Sequence, residues 1–335
     1  MAVTVYGDIS PRTAAYAVAQ LLKRALPYLV LEKWGQAFPI PTQSTKVAKF
    51  RRFESLPLAV TPLVEGVTPV GNNVSVTDYT CTLAQYGSFV AITDVIMDVH
   101  EDPVLQQYTE IIAEQAAQTI ETIRYNILKA GTNVFYANGS ARGTLAAAFT
   151  LSMQRKISRG FKRQNVPYIT KQTASSPNWG TAPTKAGFIG YIHPDVENTI
   201  IGLSGFIPAV NYASQVPADT YEIGAVEDVR YVRSTVAASF TGTAGGAAIA
   251  STGMISSDGV YNDVYPMLFF GADAYGLVPL KGRDSITPMV RNPNNPVHGD
   301  ELGQRGFVSW KVMTTAVILN QLRMARAEVC CLELV

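Results

Sequence analysis

Between Val104 and Gly131, apolar side chains at Val104, Tyr108, Ile111, Ile112, Ala116, Ile120, Ile123 and Ile127 recur mostly three or four residues apart, a spacing that gathers them on one side of an α-helix. Asp102-Pro103, just ahead, is a side-chain cap followed by a residue whose φ is preset for a first turn. Gly131 suits the left-handed position that commonly ends a helix. At 1.5 Å per residue the rod is about 40 Å long, well beyond the usual three turns. Any fold for this chain must be built round a strut that crosses a whole subunit.

Around the strut the pattern is mixed. Residues 1–45 carry one helical pattern, Ala14, Val18, Leu21, Leu22 and Ala25, and then Pro27, Pro39 and Pro41, so they read as an arm rather than a domain. From Lys46 the chain reads as a long two-stranded excursion, with Val47–Phe53 going out and Val74–Ile96 coming back in β-forming residues. Its far end holds Pro57, Pro62, Gly66, Pro69 and Gly71 among Leu58, Val60, Leu63, Val64 and Val67. A monomer leaving those side chains in water would carry an apolar patch of the kind that marks a partner surface. Further on, the periodicities predict a helix over 144–164, a buried strand over 188–192, a capped helix over 196–203, and strands over 229–232, 265–270 and 276–280. The end, 306–335, alternates Met324, Arg326 and Glu328 against Ala325, Ala327 and Val329, as returning strands do. The Gly-, Ala-, Ser- and Thr-rich stretch 240–259 has no apolar face and is expected to be an exposed loop that accepts insertions. The fold class is α+β.

A length of 335 residues suggests roughly two domains. The net charge of +1 recruits neither nucleic acid nor an anionic membrane by a global field. Only 16% of residues are charged where about 25% is usual, and interfaces between chains are places where charge is depleted. Cys81, Cys330 and Cys331 form no spaced pairs, which reads as synthesis in a reducing cytoplasm. The longest charge-free run, between Arg233 and Asp258, is too small-residue-rich for a membrane span.

Catalytic chemistry finds little footing. His100, His193 and His298 stand far apart, Gly202-Leu203-Ser204-Gly205 lacks the spacing of a nucleophile elbow, and no phosphate-cradling Gly-rich loop is present. Asp94, Asp98, Glu101 and Asp102 cluster near His100 and are the one basis for a rival reading, a metal-assisted hydrolase. An acidic helix start explains the same residues. Arg155, Lys156, Arg159, Lys162 and Arg163 share one helix side. They read as a basic face turned to solvent, to an ion-pairing neighbouring subunit, or to phosphates. No cofactor, metal or catalytic residue is expected.

Several pieces in order resemble the major capsid proteins of tailed bacteriophages, whose Johnson fold is shared with herpesvirus capsids. They are Phe50-Arg51-Arg52 with Leu56-Pro57-Leu58, Glu65-Gly66-Val67-Thr68-Pro69, and the Tyr86-Gly87-x-Phe89-Val90-x-Ile92-Thr93-Asp94 return strand. Then follow Tyr191-Ile192-His193-Pro194-Asp195-Val196, Gly224-x-Val226-Glu227-Asp228-Val229-Arg230, and Gly303-Gln304-Arg305-Gly306 before Trp310-Lys311. The resemblance covers the chain from about Gln36. It implies an N-terminal arm over 1–45, an extended loop over 46–97, a peripheral domain with a spine helix over 98–140 and 303–335, and an axial domain over 141–302. It further implies a structural subunit of the virion capsid that self-assembles into hexamers and pentamers of an icosahedral shell round the phage genome. Scaffolding, portal and decoration proteins and non-specifically held double-stranded DNA are the other partners, with no membrane. Arg51, Arg52, Glu54, Leu58, Val60, Leu63, Val64, Glu65 and Val67 are the expected inter-subunit contacts.

Overall fold

A computed structural model of the chain describes residues 29–333 apart from 64, 69–70, 100–103, 170–185, 213–216, 218, 241–244, 247–252, 282–285 and 297–298, and apart from the side chains of 97–99 and 104. The helical pattern at Ala14–Ala25, the Asp102-Pro103 cap, His100, Glu101 and His298 therefore lie outside the described residues.

Its strands, in chain order, are β1 (Gln36–Ala37), β2 (Val47–Phe53), β3 (Val76–Thr82), β4 (Ala84–Thr93), β5 (Val134–Tyr136), β6 (Phe188–Ile192), β7 (Phe206–Pro208), β8 (Glu222–Val226), β9 (Val229–Arg233), β10 (Val264–Phe270), β11 (Tyr275–Pro279), β12 (Thr287–Arg291), β13 (Arg305–Ile318) and β14 (Met324–Cys330). The helices are α1 (Asp94–Val99), α2 (Val104–Lys129), α3 (Leu151–Arg163) and α4 (Pro194–Ile201). The 14-residue β13 organises one sheet: β4 runs antiparallel along one edge for ten residues, from Arg305↔Thr93 to Thr314↔Ala84, while β12 and β11 share the other edge and β1 extends β11. The second sheet has seven strands in the order β5-β14-β10-β6-β9-β8-β7.

The strut joins them. Ile112, Ala113, Ala116 and Ile120 of α2 pack on Ile92, Val308, Trp310 and Val312 of the five-stranded sheet, and further along Tyr125 and Leu128 reach Tyr191, Leu268 and Phe270 of the seven-stranded one. The opposite face of the seven-stranded sheet is covered by Met153, Ile157 and Phe161 of α3 and Val196 and Ile200 of α4. With cover on both faces, β6 is buried at every position, which is why its sequence is a continuous apolar run rather than an alternation.

Four expectations are corrected. Gly131 is not left-handed: the helix ends in a tightened turn, Ala130 N–H to Ile127 O at 3.3 Å and Gly131 N–H to Leu128 O at 3.1 Å, and Thr132 N–H donates to Gln321 Oε1 at 3.0 Å. The return strand is not one strand over 74–96. It divides at Leu83, with β3 pairing β2, β4 pairing β13, and Asp94 onward turning helical. The helix expected over 144–164 starts only after Thr150, whose hydroxyl accepts the Met153 N–H. Finally, the 240–259 stretch is tied in at several points. Phe240 pairs with Val264, the Gly246 N–H donates to Leu145 O while the Gly246 carbonyl accepts the Asn262 N–H, and Gly245 and Gly246 are buried. A Cβ on Gly245 would lie 2.2 Å from Asn262 O, so an insertion there is expected to abolish soluble expression. One after Gly259, at an exposed turn with φ +70°, should leave the thermal unfolding transition in place; soluble, cooperatively melting protein from the Gly245 insertion would reverse this assignment.

Sheet membership also cuts across the expected 141–302 and 303–335 segments. β11 and β12 pair with β13 in the five-stranded sheet, whereas β14 lies inside the seven-stranded one.

Candidate assembly surfaces

β2 and β3 pair residue by residue from Val47↔Thr82 to Phe53↔Val76. The base of this hairpin is anchored by a satellite core in which Ala48 and Leu83 meet Ile40 and Val278. Phe50 packs against Phe38 with ring centroids 5.2 Å apart, over Gly276, where a Cβ would come within 2.9 Å of the Phe50 ring. Charges close the hairpin on itself. Asp78 takes Lys49 Nζ at 2.6 Å and Arg51 Nε at 2.9 Å, and those hydrogen bonds, Arg51's foremost, pull its carboxyl down to about 2. Glu54 accepts Arg52 Nη2 at 2.6 Å and the Thr77 hydroxyl at 2.8 Å, and Arg52 lowers its pKa. Arg51, Arg52 and Glu54 thus find their partners within the subunit, where they hold the hairpin's own strands in register.

Beyond Glu54 the described apolar side chains stand exposed. Leu58 is 87% exposed, Val60 81%, Leu63 78% and Val67 63%, with Glu65 exposed among them; Val64 lies outside the described residues. A second apolar surface was not foreseen. On the face of the five-stranded sheet turned away from α2, Phe89 (70% exposed) and Met289 flank Ser309 in one cross-strand row, and Gly87 lies beside Lys311 in another. The small residues between the large ones leave a concavity of about 440 Å³.

α3 brings Arg155, Lys156, Arg159, Lys162 and Arg163 together on its exposed side. Two of them are neutralised by the β8–β9 turn: Arg155 Nη2 meets Glu227 Oε1 at 2.5 Å and Lys162 Nζ pairs with Asp228. Lys156 Nζ lies 5.8 Å from the Phe135 ring centroid.

Of the residues behind the rival reading, only Asp94 has a described side chain. Asp94 Oδ1 accepts its neighbour's N–H, Val95, at 2.9 Å, and the side chains of Asp98, His100, Glu101 and Asp102 lie outside the described residues. His193 caps α4, accepting the Asp195 N–H at 3.2 Å, and burial lowers its pKa. Among the described residues no three His, Cys, Asp or Glu side chains come together as metal ligands, and no helix is long and apolar enough to cross a membrane. Cys330 and Cys331 are buried thiols whose pKa values burial raises, the former to about 11.

The family model described as phage capsid protein matches residues 78–319. Among solved structures, the fold is similar to the capsid of the cyanophage P-SCSP1u, at 15% identity over 90% of this chain and 88% of that one, with a TM-score of 0.59. It is also similar to the cyanophage Pam1 capsid, at 14% identity, 92% of each chain and a TM-score of 0.57. The capsid of Ralstonia phage GP4 matches at 10% identity over 89% and 87%, with a TM-score of 0.58. At such identities the likeness is one of fold. No curated protein matches the chain by sequence.

Proposed function

The chain belongs to the phage capsid protein family, and on that premise we propose that it is the tile of an icosahedral shell, assembled into hexamers and pentamers that close round the genome. Family and fold point to a structural protein, and they lend no support to a metal-assisted hydrolase. The observation that carries the proposed assembly is the hairpin, firmly rooted at its base and apolar and uncovered at its tip. A surface of that kind on one part of a subunit, meeting a different part of the next, makes heterologous contacts that close into rings. Many modest contacts then act together through effective concentration within the shell.

In this reading α2 with the five-stranded sheet is the peripheral body and the seven-stranded sheet is the axial one. The tip of one subunit seats on a neighbour, and the concavity beside Phe89 and Met289 is apolar where such a tip needs it to be. Arg159 and Arg163 face the genome non-specifically, a contact that salt weakens. Scaffolding, portal and decoration proteins meet the finished surface, and assembly takes place in the host cytoplasm. The Lys–Asn cross-links that staple some capsids of this fold are not expected: Lys46 and Lys49 lie at the hairpin's base, and Lys49 is engaged with Asp78. Particles heated in detergent should run as one band near 36.2 kDa, and a ladder of multiples would refute this. Negative-stain microscopy of concentrated protein tests the reading as a whole, with closed shells or hexamers expected and dispersed monomers contradicting it.

A further inference from the structure

We propose that Glu121 is a proton-operated latch on the strap formed by residues 29–34, holding it between the two sheets while the carboxyl is protonated and letting it go as pH rises. The strap is where residues 1–28 join the body, and its Val30, Leu31 and Trp34 are buried. They sit in a core shared by Ile189, Leu268 and Phe270 of the seven-stranded sheet and by Leu277 and Ala316 of the five-stranded one. Two of its backbone amides are held there by one side chain of α2. Glu121 is fully buried, and its Oε1 accepts the N–H of Leu31 at 3.0 Å, the N–H of Val30 at 3.3 Å and the Tyr191 hydroxyl at 3.3 Å. Its other oxygen, Oε2, is buried with no hydrogen-bond partner among the described residues.

That asymmetry makes the site sensitive to charge. A neutral oxygen without a partner costs far less than a charged one in the same place. Burial accordingly pushes the Glu121 carboxyl up from its ordinary 4.5 to about 7, against the opposing pull of the Leu31 N–H, the Arg124 charge, the Val30 N–H and the Tyr191 hydroxyl. The charged groups round it are paired with one another. Arg124 of α2 donates to Glu32 Oε2 on the strap at 3.0 Å, and Lys33 of the strap pairs with Asp219 at 2.6 Å. Tyr125 donates to Ala238 O and Tyr275 of β11 to Leu31 O. Burial holds Tyr125, Tyr191 and Tyr275 above the usual phenol range.

The sign follows from linkage. A carboxyl with a higher pKa when the strap is docked than when it is free favours docking most below the free value, loses that contribution as pH rises, and has lost it all above the docked value. If release of the strap returns the carboxyl from about 7 to its ordinary 4.5, docking weakens by up to about a hundred-fold from pH 5 to pH 8. The full-length chain, followed by hydrogen exchange corrected for intrinsic rates, provides the test. The Val30 and Leu31 amides should lose that much protection over this range while the buried β10 strand, 264–270, keeps its own. In Glu121→Gln, which retains an acceptor and cannot ionise, the strap's protection should not change with pH. Constant protection of the wild-type strap would overturn the latch. So would an equal loss in 264–270, or the same pH dependence in Glu121→Gln. Should that variant not fold, the two wild-type segments decide the matter alone.

Discussion

Replacing residues 57–71 by a short Asn-Gly turn is expected to leave a folded subunit that no longer makes shells. Among the described residues, none from 54 to 75 belongs to any buried cluster, and β2 and β3 keep their pairing below the cut. The spine helix and both sheets should therefore melt cooperatively at nearly the parent temperature, with helical circular dichroism intact. Assembly is another matter. Burying roughly 100 Å² for each apolar tip side chain against a neighbour, at about 25 cal/mol per Å², contributes on the order of ten kcal/mol per subunit before ordering costs. Particles of normal size from the shortened protein would show that the tip is not the main tie between tiles.

The second large effect is expected inside the subunit. Glu328 stands mid-strand in β14 with 0% of its side chain exposed. Arg142 reaches it with two hydrogen bonds of 2.7 Å, and Arg326 pairs with it at 2.8 Å while also donating to the carbonyl of Lys129, the last residue of α2. Arg142 is held in turn by the Phe240 ring, 3.6 Å from its guanidinium. Glu328→Ala would strand two cations, one of them only 11% exposed, and should cost about 3–5 kcal/mol in urea unfolding. Glu328→Gln, which keeps an acceptor, should lose less. An alanine variant within about 1 kcal/mol of the parent would mean that desolvation cancels the attraction.

Elements whose burial is set locally were legible in the sequence. β2 has the bounds its run of β-forming residues predicts, 47–53, and the spine helix spans its apolar stripe, of which only Ile111 stands exposed among the described side chains. Elements decided by distant partners were not. Residues 145–149 have helical propensity, but their backbone is committed elsewhere: Leu145 O accepts the Gly246 N–H and Ala147 O accepts the Cys330 N–H. The small residues near Gly245 read as slack, yet their lack of side chains is what lets two backbones approach. The apolar tip declared itself because Pro and Gly surround hydrophobic residues that no periodicity can bury. The concavity beside Phe89 could not, since Gly87, Ser309 and Met289 become neighbours only once β4, β13 and β12 are in register. Likewise the pairing of Arg51 with Asp78 could not be read ahead, because it is register that sets the two opposite each other.

The division of the return strand at Leu83 has a mechanical consequence. β3 runs on through one residue into β4, and β4 is zipped to β13 over ten residues. Tension applied to the hairpin tip therefore enters the body through β4, along the strand axis. Hydrogen bonds perpendicular to that axis are then loaded together in shear, not one after another as in peeling.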